Sequence, residues 1–211
     1  MALVVVGGHS RNVGKTSVMA GLIAGLREYA WLAVKITQFG HGICALQGEA
    51  CDCATEDHSW AISEERNRDS GSDTSRYLQA GAARALWVRT EQGRLAEAMP
   101  ALREKIATAD NVILESNSVL RFVRPDVYLT VLDPATEDFK PSAQEFLDRA
   151  DAVVLHGSQA GASSVAWKSV SLRPVAASPK FFIRPPEYVT DELVQFVRER
   201  LALAIGFTKK R

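Results

Sequence analysis

The sequence predicts an α/β protein built on a mostly parallel sheet flanked by helices. Three observations carry this. Short runs rich in Val, Leu and Ile recur at 2–6, 31–37, 85–90, 111–116, 126–133 and 151–157, and continuous apolar strands of this kind are buried on both faces. Stretches of helical period separate them. The first run ends in glycines and leads at once into Gly14-Lys15-Thr16 and a helical stretch.

Taken in order, "ALVVV" (2–6) reads as a short buried strand and residues 15–29 as a helix. "WLAVKIT" (31–37) is the second strand. Residues 38–71 break the pattern with Gly, Cys, His and many charges, and a loop of such length is functional or mobile as a rule. Within it, "WAISEERNRD" (60–69) reads as a solvated helix or loop. A helix resumes at "DTSRYLQAGAA" with Asp73 or Ser72 as its cap. "ALWVRT" (85–90) is a strand, and "GRLAEAMPALREKIA" a helix kinked or started near Pro100. "NVILES" (111–116) is a strand ending in Glu115, and "DVYLTVLD" (126–133) another. "SAQEFLDRA" is a helix and "DAVVLHG" (151–157) a strand. "LRPVAAS" (172–178) is expected as the last strand, and "PKFFIRPPEY" (179–188) as a connection packed on the core. The closing helix has Thr190 as cap and Gly206 past its end. One domain, 1–211, with a Cys-bearing irregular insertion at 38–71, accounts for the chain.

The 211 residues suffice to bury a core without disulfides. A hydrophobic fraction of 46% and a charged fraction of 24% are those of a globular protein. Lys plus Arg and Asp plus Glu both number 25, so neither a nucleic-acid partner nor a membrane surface is expected. The basic "TKKR" end reads as a solvated tail. No apolar run reaches a membrane span, and the N-terminal residues do not read as a signal peptide, which makes the cytoplasm the expected location.

Residues Gly8, His9, Ser10, Arg11, Asn12, Val13, Gly14, Lys15, Thr16 and Ser17 form a candidate phosphate loop. Glycines let the backbone approach an anion, successive N–H groups make a concave cradle, and the following helix adds partial positive charge. Lys15 would reach the β- and γ-phosphates and the Thr16 hydroxyl would bind Mg²⁺. Five residues stand between Gly8 and Gly14 instead of the usual four, and His9 stands where the first glycine would be. Glu115, at a strand end, would point into the crevice and hold Mg²⁺ or orient a water. Asp69 and Asp73 precede a helix, Asp73 doubling as a cap candidate. Lys35 sits in an apolar strand, where a buried ammonium needs a partner such as phosphate.

"GGHSRNVGKT" resembles the GTDTxVGKT-type loop of dethiobiotin synthetase and its relatives. Those belong to the SIMIBI class of P-loop NTPases, with MinD, the nitrogenase iron protein and metal-insertion GTPases. "VKIT", "DSGSDTSRYLQAGA" and "LES" resemble the MobB family of molybdopterin-guanine dinucleotide biosynthesis. The resemblance covers residues 3–16, 31–37, 69–90 and 111–116 and weakens after 120. It implies a Rossmann-like three-layer sandwich, ATP or GTP with Mg²⁺, Lys35 and Thr37 facing the phosphates, Asp73 near Mg²⁺, and Glu115 as the acidic strand end. It also implies a homodimer closing across the nucleotide face, in which Arg66 and Arg68 are candidate fingers. The Asn-Lys-x-Asp run that reads guanine in relatives is replaced by His156, Gly157 and Ser158, so the base stays open.

Cys44, Cys51 and Cys53 are the only cysteines, spaced C-x₆-C-x-C beside His41, Asp52 and His58. Clustered thiolates suit zinc or an iron–sulfur cluster, with one of those neighbours or a second subunit as fourth ligand; free thiols in a reducing cytosol are the alternative. Three functions follow as expectations: an ATPase or GTPase in cofactor or metal-centre maturation serving a client enzyme or assembly partner, a ligase of dethiobiotin-synthetase type, or a metal-carrying adaptor with little turnover. "ESNS" after the fifth strand, in place of an EGAGG-type run, counts against the ligase.

Overall fold

A computed structural model describes residues 1–39, 59–158, 167 and 170–208 of the chain. Cys44, Cys51, Cys53, His41, Asp52 and His58 all lie outside the described residues.

Eight strands form one sheet in the order β3-β4-β2-β5-β1-β6-β7-β8. They are β1 (Ala2–Gly8), β2 (Leu32–Phe39), β3 (Trp60–Glu65), β4 (Arg84–Glu91), β5 (Asn111–Glu115), β6 (Val127–Leu132), β7 (Ala152–His156) and β8 (Lys180–Ile183). All neighbours pair in parallel except β3, which runs antiparallel to β4 at the edge. The helices are α1 (Lys15–Gly25), α2 (Asp73–Ala80), α3 (Leu95–Ile106), the single turn α4 (Pro141–Gln144) and α5 (Asp191–Thr208). The fold class is the one expected, a Rossmann-like three-layer α/β sandwich with a mostly parallel sheet.

Strand periodicity divides the core. Ala2, Val4 and Val6 of β1 join Val18, Leu22, Tyr77 and Leu193 in one layer, under α1, α2 and α5. Leu3 and Val5 join Leu95, Leu102 and Phe146 in the other. Each Val, Leu or Phe side chain among them contributes about 1.5–3 kcal/mol when fully buried. Trp31 is fully buried, stacks on Tyr29 with centroids 5.0 Å apart, and donates its indole N–H to the Leu26 carbonyl at 2.8 Å.

Four sequence readings change. "WAISEE" is an edge strand, not a solvated helix or loop: an edge position tolerates charged side chains, and Arg84 of β4 grips Glu64 at 2.7 Å. The last strand is β8, in "KFFI"; within 172–178 the chain instead makes a 3-10 turn at Arg173–Val175, where Pro174 offers no N–H to a ladder. α5 runs through Gly206 to Thr208, so that glycine does not end the helix. "SAQEFLDRA" holds only the last residues of α4 and a 3-10 turn at Leu147–Arg149. Helix α3 accommodates Pro100 in its interior, having started at Leu95.

Ser72 caps α2, its hydroxyl accepting the Ser75 N–H at 3.0 Å. Glu65, the last residue of β3, accepts hydrogen bonds from Ser70 at 2.9 Å and Ser72 at 2.8 Å. The edge strand is thereby fastened to the start of α2.

Candidate nucleotide site

The chain leaves β1 toward β2 on one side, while β6 lies on the other. The carboxyl ends of β1 and β6 therefore flank a switch in winding direction, the place where open α/β sheets hold ligands. The glycine loop emerges there. Asn12 and Gly14 take positive φ, 58° and 86°. A Cβ at Gly14 would stand 2.8 Å from Tyr188 Cε1, so both backbone angle and space require glycine. Helix α1 begins with Val18 N–H donating to Gly14 O at 2.9 Å. It has no capping side chain and no acidic residue in its first turn, which leaves its amino end suited to an anion.

Three contacts brace the loop. His9 donates its backbone N–H to Val131 O at 3.1 Å, and its carbonyl accepts Lys140 N–H at 2.8 Å. Its ring is fully buried between Phe139 and Trp167, with Nε2 3.1 Å from Thr136 O. Burial lowers its pKa. His9 thus anchors the loop to the segment after β6, joined by Ser10 Oγ donating to Asp138 at 2.6 Å. On the strand side, Asn117 accepts Gly8 N–H at 2.9 Å and donates to Gly8 O at 2.8 Å. On the third side, His156 Nε2 lies 3.0 Å from Val13 O, with Tyr188 edge-on at 6.0 Å.

Gly7→Ala tests this bracing. Its Cβ would lie 2.2 Å from Asn117 Oδ1 and 2.9 Å from the Tyr128 ring. The expected result is loss of roughly 2–3 kcal/mol in chemical denaturation, because Asn117 must leave Gly8 and two buried polar groups lose their partner.

The charged groups meet just below the loop. The pairing register sets Lys35 of β2 opposite Glu115 of β5. Lys35 Nζ donates to Glu115 Oε1 at 3.1 Å, to Thr16 Oγ1 at 3.3 Å and to Asp73 Oδ2. Thr16 Oγ1 donates to Glu115 Oε2 at 2.8 Å, and the Tyr77 hydroxyl donates to the same oxygen. Burial, then the Glu115 charge, raises the Tyr77 pKa well above its ordinary value, so it stays a donor. Arg76 lies 3.7 Å from Asp73 and donates to Ser17 Oγ at 2.9 Å. Lys15 Nζ donates to Ser10 O. Burial pulls its pKa down from 10.5 to about 8; Glu115 opposes this, while Lys140 and Lys35 add to it.

The structure therefore brings together Lys15, Thr16, Lys35, Asp73 and Glu115, all singled out in the sequence. It does not bring in Asp69, which accepts from Gln79 on the surface at 3.4 Å. Thr37 accepts the Trp87 indole N–H at 3.0 Å, and Arg68 donates to the Leu78 carbonyl. Among the described residues no group of three or more His, Cys, Asp and Glu side chains could hold a metal ion, and no helix is long and apolar enough to cross a membrane.

No family model and no curated protein matches the sequence. Solved structures to which the chain is similar include HypB from Helicobacter pylori in complex with nickel, at TM-score 0.45 and 12% identity, covering 99% of this chain and 88% of that one. LpxK from Aquifex aeolicus in complex with ATP matches at TM-score 0.45 and 19% identity, over 86% of this chain. The signal recognition particle receptor FtsY from Elizabethkingia anophelis in complex with GDP matches at TM-score 0.40 and 12% identity, over 95% of this chain. The match spans about half of LpxK, 53%, and 63% of FtsY.

Sequence reading missed Asn117, Tyr77, Asp138, Lys140 and Tyr188. Asn117 stands two residues beyond Glu115 in "ESNS", a polar run past a strand end that could have marked it. Tyr77 shares the helix face of Asp73, four residues on. For Asp138, Lys140 and Tyr188 no local signal exists.

Proposed function

We propose that this chain is a Mg²⁺-dependent nucleoside triphosphate-binding protein that hydrolyses ATP or GTP. The observation that carries the reading is the meeting of Lys15, Thr16, Asp73 and Glu115 beside an uncapped helix start. Two carboxylates and a hydroxyl are hard oxygen donors that suit Mg²⁺. Thr16, Asp73 and Glu115 would hold the ion, which when bound supplies charge neutralisation at the phosphate oxygens. Loop amides and the α1 terminus receive the polyphosphate. Lys15, already desolvated, adds a charge at the developing negative centre. Glu115, anchored by Tyr77, orients a water.

Maturation of a cofactor or metal centre is the setting that the sequence resemblance supports. An expected zinc or iron–sulfur group on Cys44, Cys51 and Cys53 concerns residues outside the described part, and the nucleotide reading does not depend on it.

Calorimetric titration with MgATP and MgGTP tests the reading and carries a pH signature. Lys15 holds its proton below about pH 8 in the free protein. A polyphosphate favours the charged amine, so above that pH binding must take up a proton. Affinity is expected to be flat from this group below about pH 7.5 and about tenfold weaker at about pH 9 than at about pH 7. Absence of binding at any pH overturns the nucleotide reading; binding that stays flat to about pH 9.5 removes Lys15 from it.

A further inference from the structure

Lys35 stands where a metal ion would be expected. Its ammonium touches Thr16 Oγ1, Asp73 and Glu115 together, the same three side chains whose chemistry suits Mg²⁺. Its positive charge already offsets the two carboxylates in part, and it lies among the very oxygens that a second cation would need. The stem is long and the side chain is 19% exposed, so the ammonium can move without unfolding the strand.

We propose that Lys35 is a resident counter-cation that keeps divalent metal out of the Thr16–Asp73–Glu115 set until a polyphosphate arrives. This rests on the nucleotide reading above. The incoming phosphates offer the ammonium a new acceptor beside Thr16. Lys35 then shifts from the carboxylates to a phosphate oxygen, and the freed carboxylates accept the ion that travels with the nucleotide. Metal and nucleotide affinity are coupled through one side chain, and by linkage each tightens the other. Between substrates, the same ammonium prevents two carboxylates from facing each other unbalanced, which would be costly this close to the core.

The test uses Mn²⁺ as probe, followed by water proton relaxation, which responds to metal held on protein. Nucleotide-free wild type is expected to hold Mn²⁺ only weakly, and to take it up when ADP or ATP is added. Lys35→Met without nucleotide is expected to hold Mn²⁺ at least about tenfold more tightly than wild type, since two carboxylates are left without their cation. Adding Asp73→Asn to that variant should abolish the gain. A folded Lys35→Met protein, checked by circular dichroism, that gains no Mn²⁺ affinity overturns the proposal. So does nucleotide-free wild type that binds Mn²⁺ as tightly as the loaded protein, and this arm decides alone if the variant does not fold. If the variant gains Mn²⁺ affinity while no nucleotide binds wild type, metal exclusion stands and the nucleotide reading falls.

Discussion

Lys15→Met is expected to bind no nucleotide and yet to unfold at a higher temperature than wild type. Both effects come from one cause. The amine is held in a desolvated position, with its pKa drawn from 10.5 to about 8, and each unit of such a shift disfavours the charged form by about 1.4 kcal/mol. At neutral pH the folded protein therefore carries a penalty of roughly 3 kcal/mol for keeping that charge. Methionine fills the same stem without it, and a gain of about 1–3 kcal/mol, or several degrees, is expected once lost contacts are subtracted.

The pH dependence has a definite sign. The folded state gives up the proton near pH 8 and the unfolded chain near 10.5, so the penalty is fully present below 8 and is relieved between the two values. Thermal melts at about pH 7 and about pH 9.5 should show the difference between variant and wild type shrinking. A Met variant less stable than wild type at neutral pH would mean that the amine is well solvated or well paired.

Glu115→Ala carries the largest expected loss. Glu115 is 6% exposed, and its carboxylate serves three donors: Lys35, Thr16 and Tyr77. Removal leaves Lys35 with Asp73, whose side chain is 38% exposed, and leaves the buried Tyr77 hydroxyl without its acceptor. Stranding these groups is expected to cost about 3–5 kcal/mol in denaturant unfolding. Glu115→Gln, which keeps an acceptor for Tyr77 and Thr16 but no charge, should lose less than half as much. The double variant Lys35→Met with Glu115→Ala should recover part of the loss, because the stranded cation goes with its partner. Strict additivity of the two single changes would show that the ion pair contributes nothing.

Much of this architecture is legible in the sequence alone. Gly14-Lys15-Thr16 after a Val-rich strand, Lys35 inside an apolar run and Glu115 at a strand end are local signals, each carried by a few neighbouring residues. The misreadings have physical causes too. β3 is a short edge strand, and the charges of Glu64 and Glu65 give it the composition of a solvated segment. "KFFI" lies just before "RPP", which marks a connection, whereas "LRPVAAS" has strand-like composition but a proline at 174. Asn117 and His9 act on residues 109 and 122 positions away in sequence. His9 resembles a phosphate ligand because it stands in the loop; only the carbonyls of Val131 and Thr136 reveal it as a brace.

The joint between Glu65 and Ser72 ties the edge strand to the residue before Asp73. Residues 40–58 follow the strand that carries Lys35 and precede the one that ends at Glu65, whose grip on Ser72 leads directly to Asp73. The strand that carries Lys35 and the strand that ends at Glu65 are thus joined through the Lys35–Asp73 contact. The Ser75 amide, held by the Ser72 hydroxyl, lies beside that junction, and its deuterium uptake is expected to rise when Glu65→Ala releases Ser72.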